Sequence, residues 1–201
     1  MSMNTTKYPH TYAPEIQGRR ERLGVRILII ANGSFLAAMM FTWFYLRNLN
    51  TNDAWLPKGV HTFSTASGWT AGAGLILAGI FHLIGVQNKS MRQVTSLLVL
   101  IALIVGAYLE WHQMAHMPFI AQDANSRPFY NGAYASTWVI IAGTRMFEYL
   151  ISIFVALGLV IRGYRASVNP VLEEWRQRTA GSWFTWVAIA GFLTAMTISF
   201  K

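Results

Sequence analysis

The chain has 201 residues, of which 54% are apolar, 14% aromatic and 12% charged, with no cysteine. The charged share is about half that of a soluble domain, and a mean hydropathy of +0.36 leaves too little polar surface to clothe one; disorder, collagen and coiled coil are excluded as well, and the lack of Cys removes disulfide frameworks, thiolate catalysis, Cys-ligated zinc and iron–sulfur clusters. The net charge of +8 is not the basic stripe that nucleic acid requires, because the charges fall between long apolar runs, so an integral membrane protein is expected.

Residues 1–21 are polar, with Pro9, Pro14, Glu15, Arg19, Arg20 and Glu21. No apolar core lies close behind Met1, so no cleavable signal peptide is expected, and the segment reads as a cytoplasmic tail. The rest, 22–201, reads as a single membrane domain. Its apolar stretches cover about 24–45, 60–86, 94–114, 135–161 and 182–200, each near the ~20 residues that cross a hydrocarbon core. A membrane barrel would need short alternating segments instead. The expected fold is therefore an all-α bundle of five transmembrane helices.

Lys and Arg in the short flanks set the orientation. One side holds ten: Lys7, Arg19, Arg20, Arg22, Lys89, Arg92, Arg162, Arg165, Arg176 and Arg178. The other holds four: Arg47, Lys58, Arg127 and Lys201. The N-terminus is expected inside and the C-terminus outside, with anionic headgroups accounting for the basic pI. The loop 115–131 is then long, polar and periplasmic. In the fourth loop, Asn169-Pro170 has the form of an N-cap and a first-turn proline, predicting a short surface helix ahead of the fifth span. In the second span, Ser64, Gly68 and Gly72 form one line of small residues and Thr70, Gly74 and Ala78 the next, a pattern for close helix packing.

Ionisable side chains inside hydrocarbon are expensive and mark either an ion pair or a function. Here they are Arg26, Glu110, Arg145 and Glu148. Arg145 and Glu148 are three apart and share a helix face, so an internal pair that eases insertion is one reading. A proton-active carboxylate whose charge Arg145 stabilises is the other. His112 and His116, four apart near Glu110, Met114 and Met117, have the spacing of helical metal ligands and thioethers that suit copper. They also fall where a helix leaves the membrane, where polar residues need no special purpose. His61 and His82 read as interfacial and His10 as part of the tail. The first, fourth and fifth spans contain no histidine, so haem or metal on this chain is not expected. Broken helices or repeats of the kind transporters use are not apparent. This profile suits an accessory subunit.

Residues 23–47, LGVRILIIANGSFLAAMMFTWFYLR, resemble the opening helix of the five-helix bacterial subunit III of haem–copper oxidases. Gly106-Ala-Tyr-Leu-Glu110-Trp111 resembles its Glu-aromatic close of a helix. Asn131-Gly-Ala-Tyr-Ala-Ser-Thr-Trp138 resembles its Gly-x-Tyr-Gly-Ser-Thr-aromatic helix start. Trp183 and Trp186 stand where its Trp-rich last helix belongs. The match runs in order over about 22–200. Three departures concern polar residues. Asn32 stands where the family has a carboxylate. Gly143-Thr-Arg145-Met-Phe-Glu148 stands where it has Gly-x-His-x-x-His. Phe184, Thr185, Val187 and Ala188 occupy the region of its last-helix His and Asp.

The resemblance implies an accessory subunit without cofactors, packed on the haem- and copper-bearing subunit I, together with subunit II, in the inner membrane of a bacterium. The complex would pass electrons from cytochrome c or quinol to oxygen while pumping protons. Bound phospholipid is the one ligand expected on this chain. A related component of a nitric oxide reductase or another respiratory complex is the alternative. Counting from the helix ends puts Asn32 about 12 Å from the inner edge and Glu148 about 20 Å from the outer edge. In a core of ~30 Å these are similar depths, so the carboxylate of the first helix is expected to have moved to Glu148 with Asn32 as its hydrogen-bond partner. The competing expectation is that Arg145 and Glu148 pair toward a neighbouring subunit. A reporter fused after Lys201 should read out as periplasmic, and a cytoplasmic signal there would reverse the topology.

Overall fold

The computed structural model describes residues 13–57, 61–118, 120–122, 128–130, 132–164 and 169–200. Five helices are each long and apolar enough to cross a membrane. They are α1 (Pro14–Leu49), α2 (Thr65–Gln87), α3 (Arg92–Ala115), α4 (Gly132–Gly163) and α5 (Pro170–Ser199). The protein is an all-α membrane bundle. Between α3 and α4, β1 (Ile120–Gln122) and β2 (Pro128–Tyr130) form an antiparallel ribbon with Ile120 opposite Tyr130. Lys7, His10, Lys58, Val60, Arg127, Asn131, Arg165 and Lys201, which entered the sequence reading, lie outside the described residues.

Three boundaries differ from expectation, each for a local reason. α1 begins at Pro14, inside the predicted tail. Proline suits the first helical turn because its missing N–H needs no partner there, and Gln17 donates to Glu21 one turn on at 3.1 Å. α2 begins only at Thr65, where the Ser64 hydroxyl accepts from the backbone N–H of Ser67 at 3.2 Å, and residues 61–64 are not helical. Asn169 caps α5 as its sequence suggests, accepting from the N–H of Leu172 at 3.1 Å. The helix it starts does not stop at the surface but runs unbroken to Ser199. Gly181, where the charged part of the helix ends, packs against His82.

The parallel helices α1 and α5 touch along their length. Gly18 lies under the Trp175 ring with no room for a Cβ, Arg176 Nε pairs with Glu21 Oε2 at 3.5 Å, and the Trp43 indole donates to the carbonyl of Phe200 at 3.1 Å. The uncharged stretch of α1 between Arg26 and Arg47 is about 30 Å long, enough for the hydrocarbon alone. Its first turns and those of α5 therefore stand beyond it.

The two lines of small residues on α2 serve different neighbours. A Cβ on Gly72 would meet the carbonyl of Gly191 on α5 at 2.7 Å, while one on Gly74 would meet the carbonyl of Ala102 on α3 at 2.7 Å and the Cα of Gly106 at 2.8 Å. Backbones this close gain dispersion where the hydrophobic effect gives nothing. The end of the bundle nearest the C-terminus is closed by the rings of Trp43, Trp55 and Tyr134, packed edge to face with centroids 5.0–5.7 Å apart. The loop before α2 is tied there by Tyr134 N–H to the Trp55 carbonyl at 2.9 Å. Gly132 turns beside Pro57 with φ +91°, a conformation that L side chains rarely adopt.

Gly74→Val should push α2 off α3 and lower the unfolding free energy in detergent by about 1–3 kcal/mol. Gly143→Ala, which adds its methyl where nothing lies within 4 Å, should leave it nearly unchanged. Equal effects would show that α2 and α3 are not in close contact.

Candidate functional site

Of the ionisable side chains predicted within the membrane, Glu110, Arg145 and Glu148 gather in one centre, while Arg26 does not. Three glycine contacts set its level: Gly74 of α2, Gly106 of α3 and Tyr149 of α4 meet, with the Tyr149 hydroxyl donating to the carbonyl of Ala71. One helical turn from there, Arg145 reaches between the three helices. Its Nη2 lies 3.0 Å from Glu110 Oε1 and its Nη1 donates to the carbonyl of Gly68 at 3.4 Å. Both side chains of this ion pair are 0% exposed.

The expected pairing of Arg145 with Glu148 is therefore corrected, since the ion pair of Arg145 is with Glu110. The cause is geometric. Side chains on a helix lean toward its N-terminus. The long Arg145 side chain thus runs away from Glu148, and its charged end arrives where α3 presents Glu110. Counting from helix ends hid this partner. α4 begins about 25 Å beyond the level of Tyr149, whereas α3 ends only about 13 Å beyond the level of Gly106.

Glu148 is also fully buried. The Asn32 side chain of α1 lies beside it, but neither carboxyl oxygen of Glu148 has a hydrogen-bond partner. The two residues chosen for similar depth are thus brought together. Asn32 is held by a residue from the fifth helix: the Trp186 indole of α5 donates to Asn32 Oδ1 at 2.6 Å. With that oxygen engaged, the amide's N–H groups are the part of Asn32 left for Glu148. Nearby, Trp183 of α5 donates to the Ser152 hydroxyl of α4 at 3.0 Å. Trp183 and Trp186 entered the sequence reading only as part of a resemblance, and Tyr149 not at all. Tyr149 follows Arg145 by one helical turn, which was the available signal.

The centre thus holds two carboxyl groups and one guanidinium, joined to residues of all five helices. Glu110 Oε2 and Arg145 Nε have no hydrogen-bond partner. Asn32 also lines a groove of about 470 Å³ between α1 and α4, with Phe35, Gly143, Thr144 and Phe147. This side of the centre faces outward from the bundle.

The other candidates lie elsewhere. His112 and His116 are exposed at the end of α3, their rings stacked with centroids 4.3 Å apart, and His116 Nδ1 lies 2.9 Å from the carbonyl of His112. Met114 and Met117 pack on the aromatic cluster instead, so these four do not converge as a ligand set. Among the described residues no three His, Asp or Glu are grouped as metal ligands. His61 and Arg26 are exposed. His82, expected at an interface, is buried against Phe184 with Nε2 3.2 Å from the carbonyl of Gln177. The continuation of α5 covers it. In comparison with known proteins, the chain matches no family model and no curated protein.

Glu148→Gln keeps the shape of a side chain that makes no ion pair. It should change the unfolding free energy by no more than about 1 kcal/mol. A loss of several kcal/mol in chemical unfolding would make Glu148 an essential counter-charge of Arg145.

Proposed function

We propose that the chain is an accessory, cofactor-free subunit of the subunit III type in a bacterial haem–copper oxidase. Haem and copper reside on the partner subunit I, subunit II completes the assembly, and this chain stabilises the catalytic subunit in the inner membrane with its N-terminus in the cytoplasm. The observation that carries the reading is that the stretches resembling subunit III supply the contacts joining the helices. Trp43 and Tyr134 close one end of the bundle, Glu110 holds Arg145, and Trp183 and Trp186 tie α5 to α4 and α1.

Two further features support it. A cleft of about 640 Å³ between α1, α4 and α5 has walls including Val25, Leu28, Phe154, Val155 and Trp183, with Arg162 and the paired Arg176 and Glu21 among its lining residues. Apolar walls with guanidinium groups suit phospholipid tails and an anionic headgroup. The polar centre has one positive and two potentially negative groups. In a water-excluded site this balances when one carboxyl carries a proton. Glu148, which has Asn32 rather than an ion pair, is assigned that proton. A carboxyl so placed can accept a proton and release it again, and in that way take part in proton uptake by the complex.

Purification of the tagged chain from its native membrane in mild detergent should bring down a haem-bearing subunit, seen as a reduced-minus-oxidised haem spectrum. Recovery of the chain alone, or with partners that carry no haem, would refute the assignment.

A further inference from the structure

At the bundle end where α1 starts, a second cavity of about 260 Å³ opens between the α2–α3 turn, the end of α4 and the start of α5. Lys89, Arg92 and Arg162 line it, against the single carboxylate of Glu173. Lys89 and Arg162 are exposed at its rim, while Ser96 and Gln177 are buried. Two buried polar atoms on these lining residues have no partner. Arg92 Nε, a donor, makes no hydrogen bond, and neither does Gln177 Oε1, an acceptor on a side chain only 5% exposed. The amide of Gln177 is oriented by its other end, since Nε2 donates to Glu173 Oε1 at 3.2 Å. The nearest charge competitor is weak: Glu174 approaches Arg92 Nη2 only to 3.9 Å.

We infer that this cavity binds a phosphate group that carries its own proton. Three cations around one carboxylate leave an excess of positive charge, which selects an anion. Two acceptors among the lining residues, Gln177 Oε1 and the Glu173 carboxylate, repel a fully deprotonated oxyanion and select one that brings an O–H. Inorganic phosphate keeps that hydroxyl in both of its forms near neutral pH and a phosphomonoester keeps it in its monoanion, whose second proton leaves near pH ~6; sulfate has none. The phosphate oxygens accept from Lys89, Arg92 and Arg162, while its O–H donates to Gln177 Oε1. The volume holds one phosphate group with several waters, at ~30 Å³ for each water. Either free phosphate or the monoanion of a phosphomonoester lipid headgroup has this chemistry. The site is separate from the buried centre and does not depend on the oxidase reading.

The test uses the full chain in a non-ionic detergent, titrated with inorganic phosphate and, at matched ionic strength, with sulfate, and followed by thermal shift and isothermal calorimetry. Phosphate should bind saturably and sulfate at least about tenfold more weakly, the factor expected for one charge-assisted hydrogen bond. Gln177→Leu should remove the preference for phosphate. Lys89→Gln with Arg162→Gln, both at exposed positions, should weaken phosphate binding by at least about tenfold and leaves the inference testable if the first variant fails to fold. Repeating the titration in phosphatidylcholine nanodiscs with and without phosphatidic acid separates the sources. Binding unaffected by phosphatidic acid identifies free phosphate, and binding abolished by it identifies the headgroup. No saturable phosphate binding, or equal binding of phosphate and sulfate, would overturn the inference.

Discussion

A guanidinium with no exposed surface in the middle of a membrane bundle is the constraint on which the arrangement depends. An unpaired cation there is very costly, so the helices carrying its partners must be held where they can reach it. Glu110 of α3 supplies the counter-charge and the carbonyl of Gly68 on α2 a further acceptor. Contact at that range between three helices requires close backbones, and the glycines at 74 and 106 provide it. The small-residue lines and the ion pair are therefore parts of one solution. Replacing the glycines by larger residues would move the acceptors out of reach, and removing the acceptors would leave a buried charge.

Glu148 occupies a different position in this economy of charge. It shares the centre with Arg145 but not its ion pair, and its neighbour is an amide held in place by Trp186. That arrangement links the outermost contact of α1 to the core of α4. It also concentrates the groups capable of holding a proton beside a groove between α1 and α4 that reaches the bundle exterior. In the proposed complex this is where a proton-bearing residue of the accessory subunit would matter, while the electron chemistry stays on other chains.

The bundle was legible in the sequence because crossing a membrane imposes a length and a composition that five stretches satisfy independently. The Asn169 cap was legible because capping is local. The continuity of α5 through 176–182 was not, since charged residues there looked like a surface boundary, whereas Arg176 and Gln177 are held by Glu21 of α1 and by Glu173. The burial of His82 was not legible for a related reason: it comes from the extended part of α5. The partners of Asn32 and Glu148 could be matched by depth because both lie well inside long helices. The ion pair of Arg145 could not, because Glu110 is 35 residues away and the ends of α3 and α4 lie at different levels.

A double-mutant cycle on Glu110 and Arg145, read by reversible unfolding in detergent, tests the organising role of the pair most directly. Glu110→Leu and Arg145→Met should each cost about 3–5 kcal/mol, because each strands a buried partner, while the double variant should cost less than either alone. Costs that simply add would mean that the two side chains do not form the pair on which this account of the bundle rests.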